Sequence, residues 1–141
     1  MHDHMVSDVM TKEVVYLPAE TTVDEAARAM RERNIGDVVV TEGPTLAGVV
    51  TDRDIVVRAV AEQRDPGSTT IGTITSRDMI MIQDDASTGE AVQLMRDRAV
   101  RRLLVCDKDR QLVGIVTLGD LAIEMDRESA LGEISASPPN N

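Results

Sequence analysis

Two threonine–aspartate pairs at one spacing are the residues best placed to do chemistry: Thr51 with Asp54, and Thr117 with Asp120. Each pair stands where a short apolar run gives way to a stretch of helical character. A helix N-terminus carries unpaired N–H groups and a partial positive charge, which suits an anion. The threonine hydroxyl can donate to a phosphate oxygen. The aspartate, about one turn on, can accept both hydroxyls of a ribose. Neighbouring groups of one element would then read phosphate and sugar together. A purely structural role is the alternative, with Thr capping the helix and Asp complementing its dipole. A single pair would favour the cap; the duplication favours ligand contact.

The remaining candidates are weaker. His2, Asp3 and His4 could join a metal site, but two histidines at a chain start more often carry no ion, so no metal is expected. Cys106 stands in a strand-like run and reads as a small buried residue. Asp8, Asp24, Asp84 and Asp85 have no histidine partner and no metal-ligand spacing. No Ser-His-Asp set, Cys-His pair, phosphate-binding loop or dinucleotide fingerprint is present. Met30 and Met95 fall at helical spacing and read as core. An enzyme is not expected.

The elements that must position these residues form an internal repeat. At an offset of 65, Val9-Met10-Thr11 lies over Ile74-Thr75-Ser76, Glu25-Ala26 over Glu90-Ala91, and Met30-Arg31 over Met95-Arg96. After one insertion the offset is 66, and Leu46, Gly48, Val50, Thr51 and Asp54 lie over Leu112, Gly114, Val116, Thr117 and Asp120. Each copy reads β-α-β-β-α. The strands are expected at Val14 to Leu17, Val38 to Thr41 and Leu46 to Val50, then at Met79 to Ile82, Leu103 to Cys106 and Leu112 to Val116. Thr22 with Glu25, and Ser87 with Glu90, have capping-box spacing. Val23, Ala26, Ala27 and Met30 mark one buried helix face. The closing helices are expected over about Asp52 to Ala61 and Leu118 to Met125. This places repeat 1 at 6–61, a linker at 62–70, repeat 2 at 71–125 and a polar, proline-bearing tail at 126–141. A unit of about 55 residues is marginal alone. The fold expected is therefore α/β (α+β), two repeats about a pseudo-twofold axis sharing one core in one compact module.

Composition narrows the function. The chain has 141 residues, a formal charge of −10 and a pI near 4.6. That balance disfavours nucleic acid and anionic membrane. Local arginines can still hold a phosphate, because distant charges are screened over roughly 8 Å at physiological salt. Thirteen of the fifteen basic residues are Arg, which suits paired phosphate contacts, although genome composition explains it equally. With no Trp, no Phe and only Tyr16, a ring-shaped ligand would sit between aliphatic side chains. One cysteine excludes an intramolecular disulfide. The N-terminus lacks a signal-peptide pattern and no apolar run could span a bilayer, so a cytoplasmic protein is expected.

The duplicated unit, ending in Gly48-Val49-Val50-Thr51-Asp52-Arg53-Asp54 and Gly114-Ile115-Val116-Thr117-Leu118-Gly119-Asp120, resembles the CBS domain. The resemblance covers about residues 6 to 125. It is nearest to stand-alone bacterial CBS pairs, which often have proline where this chain has Val39 and Leu104. The resemblance implies a ligand-sensing regulatory module that takes an adenine nucleotide such as AMP, ADP or ATP, or a related adenosine compound, in a cleft between repeats. No cofactor is required. It implies two unequal sites. One would use Ile115, Thr117, Asp120 and Arg102, lined by Val15, Ile35 and Gly36. The other would use Val49, Thr51 and Asp54, lined by Ile80, Val100 and Arg101. Asp37 stands where the second repeat has Arg102, so the second-motif site should hold a phosphate better. Arg101-Arg102 could equally be a solvated strand end. The resemblance also implies a homodimer paired through helices and a separate effector protein. The competing reading is a constitutive interaction module with empty clefts.

Overall fold

The computed structural model describes residues 4–125. In chain order the elements are α1 (Val6–Val9), β1 (Tyr16–Pro18), α2 (Val23–Arg33), β2 (Asp37–Glu42), β3 (Thr45–Thr51) and α3 (Asp52–Ile55). The last runs on as a π-helical turn, Val56–Val60, and a 3₁₀ turn follows at Ile71–Thr73. Then come β4 (Met81–Gln83), α4 (Thr88–Arg98), β5 (Arg102–Cys106), β6 (Leu112–Thr117) and α5 at 118–125. The protein is mixed α+β, with two three-stranded sheets ordered β1-β2-β3 and β4-β5-β6. In each, the first pairing is parallel and the second antiparallel. The polar tail beyond Met125 lies outside the described residues.

The compact units do not follow the contiguous repeats. Among the described residues, one unit is Val14–Met79; the other joins those up to Glu13 to those from Ile80 onward. Each repeat's leading segment therefore packs in the unit built on the other repeat's sheet. Val6, on α1, is fully buried among Leu103, Val105 and Val116. Its repeat counterpart Ile71 is fully buried among Val38, Val40 and Val50. The buried apolar residues form two clusters, one per unit, where the sequence suggested a single shared core. The physical reason is that a borrowed segment completes each small core.

Two motif glycines make that exchange possible. The segment 71–76 meets β3 through reciprocal backbone bonds between Val49 and Ser76, both 3.0 Å. Thr11 and Ile115 pair likewise, at 2.8 and 3.0 Å. A Cβ on Gly48 would lie 2.2 Å from the Ser76 carbonyl oxygen, and one on Gly114 would lie 2.8 Å from that of Thr11. No side chain fits there.

The helices form where their patterns place them, with two departures. On α2, Val23, Ala26 and Met30 are buried, at i, i+3 and i+7, but Ala27, expected on the same face, is exposed: the stripe that packs on the core is narrower than the i+4 position. Both α2 and α4 end on a left-handed residue, Asn34 and Ala99. Ser87 caps α4 with a full capping box: its hydroxyl accepts from the Glu90 N–H at 3.0 Å, and Glu90 accepts from the Ser87 N–H at 3.2 Å. Thr22 does not cap α2 with its side chain. Its hydroxyl points instead at the Asp24 and Glu25 carboxylates. That bond, helped by Arg28, holds the Asp24 carboxyl below the ordinary carboxylate range. The second acid in the first turn has outcompeted the backbone for the hydroxyl. Ser87→Ala should therefore cost about 1 kcal/mol in denaturant unfolding, and Thr22→Ala less. Equal losses would contradict the caps described.

Candidate functional site

Both threonine–aspartate pairs close the same local structure. Thr51 ends β3 and caps α3; its hydroxyl oxygen accepts from the Asp54 N–H at 3.0 Å, and Asp54 Oδ2 accepts from the Thr51 N–H at 2.9 Å. Thr117 and Asp120 repeat this at the start of α5, both bonds being 3.0 Å. The capping role is thus real in both copies. It leaves chemistry over: each threonine still has its own O–H to donate, and each aspartate has its Oδ1.

The two Oδ1 atoms face different surroundings. Arg58 Nε stands 3.8 Å from Asp54 Oδ1, and Arg58 Nη1 also donates to the Ile74 carbonyl at 3.3 Å. Arg58 thus ties the motif aspartate to the borrowed segment. At the matching position the second repeat has Glu124, which pairs with His4 Nε2 at 3.0 Å. No described residue bonds Asp120 Oδ1. Asp120, Glu124 and Asp8 together line a cavity of about 190 Å³. This Arg58–Glu124 contrast was missed in the sequence, although the offset of 66 puts one over the other.

The strands bring further candidates to each motif within its own unit. Arg102 is in register with Thr117, and Asp37 with Thr51. The Arg101 carbonyl accepts from the Leu118 N–H at 2.8 Å, and the Gly36 carbonyl from the Asp52 N–H at 3.0 Å. Thr117, Asp120, Arg102, Ile115, Ile80, Val100 and Arg101 therefore share one unit, and Thr51, Asp54, Val49, Val15, Ile35 and Gly36 the other. Val49 and Ile115 are buried, each on the strand pair that meets a borrowed segment. The Val15 and Ile80 carbonyls accept from Val39 and Leu104 at 2.8 and 2.9 Å.

Cys106 is buried, with Sγ 3.6 Å from the Ile82 carbonyl oxygen. His2 and Asp3 lie outside the described residues. Among the described residues, no group of three or more His, Cys, Asp or Glu could hold a metal ion. No described helix is long and apolar enough to cross a membrane.

Known proteins match this architecture throughout. The CBS-domain family model matches residues 6–60 and 71–127. The CBS domain-containing protein YhcV of Bacillus subtilis is 40% identical over 126 residues, 89% of each chain. Hypoxic response protein 1 of Mycobacterium tuberculosis is 32% identical over 130 residues, covering 92% of this chain and 90% of that one. Among solved structures, the CBS domain pair of protein MJ0100, in complex with 5′-methylthioadenosine and S-adenosyl-L-methionine, is 25% identical with a TM-score of 0.75, over 90% of this chain and 99% of that one. With both repeats matched from strand to motif, the chain belongs to the CBS-domain family, as a tandem pair.

Proposed function

We propose that the chain is a regulatory module that senses an adenosine compound, bound chiefly at the Thr117–Asp120 motif. The observation that carries this is the open Oδ1 of Asp120, set against the Arg58-faced Oδ1 of Asp54. A ribose needs a carboxylate that can accept its hydroxyls, and Asp120 has that acceptor to offer. Thr117 donates to the group at the 5′ position, and Arg102, in register with Thr117, meets it if it is a phosphate. The Thr51–Asp54 motif, with Asp37 in register, is the weaker site and takes a less anionic compound. The MJ0100 pair, complexed with two adenosine compounds, supports the ligand class. The role is regulatory rather than catalytic, in the cytoplasm. Chains pair through their helical faces, and the signal passes to a separate effector protein.

Calorimetric titration with AMP, ADP, ATP, 5′-methylthioadenosine and S-adenosylmethionine tests this. Asp120→Asn keeps an acceptor for the Thr117 N–H but loses the second carboxylate oxygen. We expect saturable binding to the parent. Asp120→Asn should weaken it about tenfold or more, as losing a charged hydrogen-bond acceptor does, and Asp54→Asn should change it little. Tighter dependence on Asp54 would reverse the assignment of sites. No heat with any compound would favour the constitutive interaction module.

A further inference from the structure

Arg58 spans a space at the first motif that the second motif keeps open. Its Nε lies 3.8 Å from Asp54 Oδ1, and its Nη1 donates to the Ile74 carbonyl at 3.3 Å. These three residues belong to the Val14–Met79 unit. By the repeat offsets, their equivalents in the other unit are Glu124, Asp120 and Val9. There the same three positions line the cavity of about 190 Å³, and Glu124 is engaged by His4 Nε2 at 3.0 Å. One repeat thus bridges its motif aspartate to the borrowed segment with a guanidinium, where the other has a cavity.

Two features hold that bridge in place. An i,i+4 ion pair whose arginine is 52% exposed would contribute little by itself. The second tie, to the carbonyl of buried Ile74, anchors the guanidinium over the carboxylate. Arg58 also sits within the π-helical turn Val56–Val60, whereas 118–125 is α-helical throughout; single π turns recur at functional sites. The consequence falls on Asp54. In both motifs Oδ2 takes the threonine N–H, so Oδ1 decides what a ribose finds. A carboxylate oxygen accepts from a hydroxyl or from a guanidinium, and the two compete for one position.

We propose that Arg58 is the specificity-determining residue of the Thr51–Asp54 motif: an internal competitor whose guanidinium takes the place of the ribose hydroxyls and keeps this site weak. This rests on the reading above that the motifs bind adenosine compounds. Calorimetry with 5′-methylthioadenosine, which has no phosphate for Asp37 to repel, tests it in the Asp120→Asn chain, where the stronger site is disabled. Adding Arg58→Ala should tighten the remaining binding about fivefold, and adding Asp54→Asn as well should remove the gain. Arg58→Gln, which keeps a donor for the Ile74 carbonyl, repeats the test if Arg58→Ala does not unfold cooperatively. Unchanged binding would overturn the inference, and weaker binding would do so by making Arg58 a ligand contact. A gain that survives Asp54→Asn would also overturn it. No heat from the parent or any variant would overturn the adenosine reading and this inference with it, whereas a parent that binds through Asp120 without a gain on changing Arg58 would overturn this inference alone.

Discussion

Gly48→Ala should destabilise the protein by about 3 kcal/mol or more, with a fall in Tm of about 10 °C. The new methyl would sit 2.2 Å from the Ser76 carbonyl oxygen and 2.4 Å from Thr75 Cγ2. Neither can yield cheaply, because Ser76 is locked to Val49 by two 3.0 Å backbone bonds and Thr75 is buried with its hydroxyl on the Ile71 carbonyl. Gly114→Ala should cost less. Its nearest contact is the thioether of Met10 at 2.6 Å, which can swing away, although Thr11 must still shift. Thermal unfolding of the two variants gives the comparison. A Gly48→Ala protein as stable as the parent would mean that segment 71–76 does not cross β3 as described. In a family motif such a glycine is easily credited to the ligand. Here close backbone approach accounts for it.

That glycine shows where the sequence was legible and where it was not. The repeat, the six strands and the two Thr–Asp pairs could be read because each is a local pattern: alternation, a turn, a cap. Strand edges moved by one or two residues. The first strand was expected at Val14 to Leu17 and forms at Tyr16–Pro18, yet the Val15 carbonyl already holds Val39. The borrowed segments were not legible. α1 has four residues, too few to show a period, and what fixes it is pairing with residues some eighty positions away. The closing helix of repeat 1 was read as α throughout; it turns π after Ile55. Nor did the sequence show that Val56, Val57, Val60, Leu118, Ile123 and Met125 are exposed, because a pattern of types among charged neighbours does not say which residues the helix turns outward.

Ile71→Ala should cost about 3 kcal/mol, within the range for a large aliphatic side chain removed from a closed core. Where the loss is felt matters more than its size. If the repeats were self-contained, Ile71 would support the second repeat, to which it belongs in sequence. In the structure it is fully buried with Val38, Val40 and Val50 of the first. Native-state hydrogen exchange separates these cases, because proteins open in local cooperative units. Exchange should quicken at the Val38, Val39 and Val40 amides and stay nearly unchanged at Leu103, Leu104 and Val105. Val6→Ala should do the reverse, at about 2 kcal/mol, since Val6 is buried against Leu103 and Val105. Quickening at Leu103 to Val105 on changing Ile71 would contradict the exchange of segments. The exchange also bears on the site. Thr11 and Ser76 pair with Ile115 and Val49, each two residues before a motif threonine. Whatever loosens a borrowed segment should loosen the strand end that presents Thr117 or Thr51, so each motif's order depends on residues carried by the other repeat.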